Sequence, residues 1–226
     1  MRYLIVNADD FGACSGVNRG IVEAHRHGIV TSASLMVESG GAEEAAGLAA
    51  GCPGLGVGLH AVVDPAMDPF GCRAAVEAQI RRFEELLGRP PTHLDSHHDV
   101  HGRPELLPAF RRLSRRHGIP LRGYSHVRWC RRFYGQWAGR SHPEQISVAS
   151  LILILEQELT EGVTELSCHP GLPDPALAST YATEREWELE TLCDVRVRRF
   201  LDRSVVGLIH HGDAAGRPAP GAGRSR

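Results

Sequence analysis

With 226 residues, a formal net charge of -2 and 23% charged residues, the chain can bury a core as a single domain. It carries no charge excess suited to nucleic acid or an anionic membrane surface. All 25 basic residues are arginines, a bias that fits GC-rich codon usage better than a phosphate-binding device. The longest apolar run, residues 148–155, is far too short to span a bilayer. The six cysteines (Cys14, Cys52, Cys72, Cys130, Cys168 and Cys193) form no C-x-x-C pair and no structural zinc spacing. Met1 leads straight into an apolar run, so no secretory leader is read, and the expectation is a cytoplasmic protein.

Strands and helices alternate along the chain. Residues 2–7 form a buried strand that runs into Asn7-Ala8-Asp9-Asp10-Phe11-Gly12. Ser15 is placed to cap a helix that stops at Gly28. A strand over 30–37, a helix over 41–51 and a strand over 55–63 follow. In the helix over 73–87, Val76, Ile80, Phe83 and Leu87 share one face. Further expectations are a strand over 92–96, a helix over 106–117, a strand over 119–123, a helix over 143–161, a strand over 163–168, a long helix over 184–202 and a last strand over 205–210. This alternation implies a parallel sheet with crossover helices, and the number of units fits a distorted or incomplete (β/α) TIM-like barrel over residues 1–211. The Gly, Ala, Pro and Arg tail over 212–226 is expected to be disordered.

Polar chemistry recurs where apolar strands stop. Asp9 and Asp10 repel each other unless positive charge lies beside them, and a divalent cation would supply it. One carboxylate could then ligate while the other takes a proton from water. Alone, the pair reads equally as a helix cap or turn. His60 ends the third strand, at the same barrel rim. Residues 95–101 pack Asp95, His97, His98, Asp99 and His101 together, too many for one face of a strand, so some face a metal and others orient ligands or meet substrate. Ser167-Cys168-His169-Pro170-Gly171 sets His169 at a loop entrance, where it could protonate a leaving amine. No local signature activates Cys168 as a nucleophile. His210 and His211 read as structural.

Together, the Asn7 to Gly12 segment, Gly58-Leu59-His60, Thr92-His93-Leu94-Asp95-Ser96-His97 and Ser167-Cys168-His169-Pro170 resemble the YdjC family of carbohydrate deacetylases, across roughly residues 2–202. The resemblance implies removal of an N-acetyl group from an acetamido sugar or glycoconjugate. It also implies one divalent metal ion (zinc or magnesium, with cobalt, manganese or nickel as alternatives) held by Asp10, His60 and His97. Asp9 would be the base and His169 the late proton donor, with Asp95, Asp99 and His101 meeting substrate. This chain departs from the family pattern at Asp99, where a histidine is usual, at Val63-Asp64, and in a short loop over 64–72. Relatives of this shape often pair, so a homodimer is an expectation, with no nucleic acid or membrane partner. Three other readings remain: an iron site built on His97 and Asp99, a barrel phosphoesterase, and a sugar-binding protein without turnover.

Overall fold

The computed structural model describes residues 1–214 and Arg217. In β1 (Arg2–Phe11), Leu4, Ile5, Val6 and Ala8 are wholly buried, as a parallel strand covered on both faces requires. There follow α1 (Ser15–Arg26), β2 (Ser32–Leu35), α2 (Ala42–Ala50), β3 (Gly56–Ala61), α3 (Pro69–Leu87), β4 (Leu94–Ser96), α4 (Leu107–His117) and β5 (Arg128–Cys130). The hairpin β6 (Gln136–Trp137) and β7 (Arg140–Ser141) precedes α5 (Val148–Glu158), β8 (Gly162–Cys168), α6 (Thr183–Cys193), α7 (Val195–Arg203) and β9 (Val206–Leu208). The helices carry conventional end signals where the sequence provides them. The Asp68 carboxylate, just ahead of α3, accepts from the Phe70 and Gly71 amides at 2.9 and 3.1 Å, and Gly88 closes the helix at φ 66°.

The main sheet is parallel, in the order β4-β3-β2-β1-β8-β5. β9 pairs with Arg2 to Leu4 of β1, while β2 pairs from Asn7 onward. A bridge between Leu94 and Leu121 extends the curl beyond β4. The sheet therefore forms a half-barrel with helices packed outside, the distorted (β/α) barrel expected from the sequence.

Alternation along β1 separates two environments. Leu4, Val6 and Ala8 join the large apolar layer beneath the helices, whereas Ile5 joins Val127, Val163, Ile209 and Ala214 in a smaller cluster. Next along the same inward row come Asn7 and Asp9, and the matching positions on other strands are also polar: Ser34, His60, Asp95 and Glu165, all buried. The lumen nearest the C-terminal strand ends is thus a polar layer. Such a layer is stable only when its groups satisfy one another.

Several expected elements differ. Residues 119–123 contribute only the Leu121 bridge, because Pro120 has no N–H to pair and Gly123 turns the chain at φ 71°. β5, further along, takes the sheet position beside β8 instead. The helix expected over 184–202 breaks at Asp194, whose carboxylate accepts from the Arg196 amide at 2.7 Å and starts α7. Ser15 does not cap α1; its hydroxyl donates to Glu44 at 2.8 Å. The 143–161 segment divides into a 3-10 turn, Pro143–Ile146, and α5. Of the tail expected to be disordered, residues 215, 216 and 218–226 lie outside the described residues. Gly212 and Asp213 belong to a 3-10 turn, and Ala214 is buried.

Candidate metal centre and catalytic cleft

β1 delivers Asp9 and Asp10 to the barrel mouth with opposite surroundings. Asp9 points into the lumen, where Arg122 grips it with both arms: Nη1 donates to Oδ2 and Nη2 to Oδ1, each at 2.8 Å. Asn7 Nδ2 also donates to Asp9 Oδ1 at 2.8 Å. Burial raises the Asp9 carboxyl, but the charge and hydrogen bonds of Arg122 outweigh it and hold it far below the usual carboxylate range. Asp10 turns the other way because its backbone is left-handed, at φ 67°. A non-glycine residue there is strained, and such strain concentrates at functional sites.

Asp10 Oδ1 lies 3.3 Å from His60 Nε2 and 3.2 Å from His97 Nδ1. Carboxylate and imidazole ligands bound at about 2.0–2.2 Å to one cation stand about this far apart. His60 is fixed from behind, since its Nδ1 is 2.7 Å from Asp95 Oδ1. That carboxylate–histidine pairing leaves Nε2 facing Asp10, as a metal-bound imidazole needs. Burial alone would lower the His60 pKa, yet Asp95, Asp10 and Asp9 raise it to about 10. The carboxylates therefore demand positive charge at this imidazole, which a proton or a metal ion can supply. A second group, Asp9, His60 and Asp95, also has ligand spacing. There the guanidinium already serves as the cation, because Arg122 Nη2 is 2.8 Å from both carboxylates. Asp10, His60 and His97 thus form the set whose donors fit a metal.

The opposite wall comes from β8 and α6. His169 Nε2 lies 3.9 Å from Asp9 Oδ2, and its Nδ1 lies 3.9 Å from Glu188 Oε1. Burial lowers His169 to about 4, so its imidazole is neutral near pH 7. Glu188 is completely buried, accepting from the His169 amide at 2.5 Å and from the Tyr181 hydroxyl. Burial raises it to about 8 despite these bonds. The position of this wall depends on close backbone approach: a Cβ on Gly20 would fall 2.5 Å from Gly171, and one on Gly16 2.5 Å from Leu172. Only glycines let α1 sit this near the loop after His169.

Glu188 yields a test of the burial. Its folded pKa of about 8 lies above the ordinary glutamate value of 4.5. Its contribution to stability is therefore present at low pH and lost as pH rises through about 8. In metal-free protein, Glu188→Gln is expected to gain Tm relative to the parent as pH increases from about 5 to 8. Melts across that window check it, and a constant difference between the two would contradict it.

Above these groups opens a cleft of about 350 Å³, lined by Asp9, Asp10, His60, His97, Asp99 and His169 with the aromatic faces of Trp129, Phe133, Tyr134 and Tyr181. Small-molecule sites commonly occupy about 300–1,000 Å³. Asp99 sits on the rim, paired with Arg131 at 3.1 Å. The expectation that Asp95 and His101 meet substrate is corrected by their placement. Asp95 is fully buried behind His60, with Ser34 and Arg122 on its second oxygen. His101 is buried, with Nδ1 2.8 Å from Ser96 Oγ and its ring edge against Phe110. Cys168 is buried and its thiol is pushed well above the usual range by burial, which leaves it unreactive. His211 stacks on His93 in the lumen, 3.3 Å from Glu165. Arg122, Arg185, Glu165 and Glu188 escaped the sequence reading. For Glu165 alone a signal was available, a charged residue inside an apolar strand, Val163-Thr164-Glu165-Leu166.

The chain is a parallel (β/α) half-barrel in which one carboxylate and two imidazoles converge beneath an open cleft, at spacings that could hold a metal ion. A family model described as YdjC-like protein matches residues 3–69 and 66–203. A carbohydrate deacetylase of Brevibacillus brevis is 33% identical, with 91% of this chain and 97% of the relative covered. A chitooligosaccharide deacetylase of Serratia marcescens is 34% identical, covering 84% and 90%. The chain belongs to the YdjC-like family. Among solved structures, a proposed cellobiose-phosphate cleavage protein of Enterococcus faecalis V583 superposes with a TM-score of 0.81 at 27% identity, covering 94% and 98%. A family 4 carbohydrate esterase from Streptomyces lividans shares the fold, with a TM-score of 0.63 at 14% identity over 97% and 98%.

Proposed function

We propose that this protein is a metal-dependent carbohydrate N-deacetylase, hydrolysing the acetamido group of a sugar or glycoconjugate to acetate and a free amine. The observation that carries the reading is the meeting of Asp10, His60 and His97 at the floor of a cleft that also holds Asp9 and His169. Asp10, His60 and His97 would hold one divalent cation, and the nitrogen donors favour a transition metal such as zinc over magnesium. When bound, such an ion polarises an amide carbonyl and lowers the pKa of water.

The remaining steps belong to this chain's side chains. Asp9, kept ionised and oriented by Arg122, accepts the proton of the attacking water. His169 begins neutral, so it becomes an effective acid only after taking a proton, and Asp9, 3.9 Å away and protonated by the attacking water, supplies it. It then protonates the amine as the C–N bond breaks. The water supplies the oxygen of acetate and the proton that the nitrogen receives. Trp129, Tyr134 and Tyr181 give the sugar ring apolar faces to pack on, and the Asp99–Arg131 pair offers hydrogen bonds at the rim. Among the described residues, no helix is long and apolar enough to cross a membrane. The free cysteines among the described residues suit the reducing cytoplasm.

The test is acetate release from N-acetylated chitooligosaccharides and other acetamido sugars by metal-reconstituted protein. Acetate with an equimolar free amine is the expected result. Phosphate release from phosphorylated sugars without acetate would instead favour a phosphoesterase.

A further inference from the structure

The two oxygens of Asp10 have different partners. Oδ1 faces His60 and His97, whereas Oδ2 accepts from Arg185 Nη2 at 2.5 Å. The rest of that guanidinium is also committed: Nε donates to the Tyr181 carbonyl at 2.9 Å and Nη1 to the His169 carbonyl at 3.4 Å. Three of the five N–H donors an arginine carries are thereby used. The side chain is buried, and its stem passes Gly171, where an added Cβ would stand 3.2 Å from Arg185 Cδ. The Arg185 backbone carbonyl accepts from the Gly171 amide at 3.1 Å. A planar fork fixed at three points cannot follow Asp10 if the carboxylate rotates.

We infer that Arg185 is a positioning residue that restricts Asp10 to single-oxygen ligation and ties this ligand to the loop carrying His169. The inference rests on Asp10, His60 and His97 being the metal ligands. A carboxylate can bind a cation through one oxygen or both. Two-oxygen binding by Asp10 would consume a position that water or the amide carbonyl needs, since catalytic sites work by keeping such positions open. It would also break a charge-assisted hydrogen bond, roughly twice as strong as a neutral one, and leave a buried guanidinium unpaired. The same guanidinium joins the ligand on β1 to the carbonyl of His169, so the proton donor and the ligand are held in one rigid unit. Arg185 also borders the cleft, and the alternative of direct substrate contact makes a different kinetic prediction.

Arg185→Met and Arg185→Lys test this with cobalt(II) as the probe, titrated into metal-free protein and followed by visible absorption. Loss of a partner behind a metal ligand typically costs 10–100-fold in affinity or activity. The expected result is cobalt affinity about 10–100-fold weaker in Arg185→Met, with a changed visible spectrum and lower kcat at unchanged KM. Arg185→Lys, which keeps the charge but loses the fork, is expected to recover affinity only partly. Wild-type affinity and spectrum in Arg185→Met, or a rise in KM alone, would overturn the inference. If neither variant folds, a crystal structure of the metal-loaded parent decides. Asp10 bound through one oxygen with Arg185 on the other supports it, and two-oxygen binding or a displaced Arg185 overturns it. A parent protein that takes up no cobalt removes the metal-centre reading, and this inference with it.

Discussion

Asp9→Asn and His97→Ala each lose amide hydrolysis, but they lose it differently. His97 supplies an imidazole to the proposed ligand set, so His97→Ala is expected to purify with little metal and negligible turnover. Asp9 stands outside that set. Asp9→Asn keeps the side chain's size, and Arg122 retains Asp95 and Glu165 as counter-charges at 2.8 and 2.7 Å. The variant is therefore expected to fold and bind metal while kcat falls by about 10²–10⁴-fold, the usual scale for a lost general base. Acetate release together with metal content by mass spectrometry separates the two cases. Full turnover in Asp9→Asn would assign the proton acceptor elsewhere, with His169 the next candidate because its imidazole is neutral.

Arg122→Met is expected to have the largest effect on stability. The guanidinium is buried against Asp9, Asp95 and Glu165. Burial lowers the pKa of Arg122, but these carboxylates raise it well above its ordinary value, so it stays charged. Methionine matches much of the volume and none of the charge, leaving buried carboxylates to repel one another. Removing one partner from a buried ion pair costs about 3–5 kcal/mol. For a domain of this size that corresponds to a fall in Tm of roughly 6–20 °C. Thermal melts at neutral pH check it, and an unchanged Tm would mean that the lumen protonates instead of holding ion pairs. A double variant, Arg122→Met with Glu165→Gln, is expected to recover part of the loss by removing one orphaned charge.

The candidate site was legible in the sequence where chemistry sits at strand ends. Asp9, Asp10, His60, His97 and His169 each stand at or just past the C-terminal end of a strand, and a parallel sheet brings all such ends to one rim. The inward row was also open to reading, since Ile5, Asn7 and Asp9 alternate with Leu4, Val6 and Ala8. Read in full, that alternation assigns Asp95 to the buried lumen beside His60, its register partner, and not to the substrate surface. His101 could not be placed this way, because the chain leaves the strand at His97 through left-handed residues, His98 and Asp99, at φ 54°. Arg122 and Arg185 were hidden for a different reason. Arginine side chains reach across the barrel, and the carboxylates they hold on β1, Asp9 and Asp10, lie 113 and 175 positions away in the chain. No local pattern marks such pairings. Short edge strands were similarly obscure: β5 pairs through only Arg128 to Cys130, with no periodicity long enough to detect.

The proposed function requires one cation and one bond cleaved beside it. The most direct measurement adds zinc stepwise to metal-free protein while acetate is counted from an N-acetylated chitooligosaccharide. Turnover is predicted to rise in proportion to added metal, level off at one ion per chain, and stay absent in His97→Ala. Undiminished acetate release from the metal-free protein, or from His97→Ala, would contradict it.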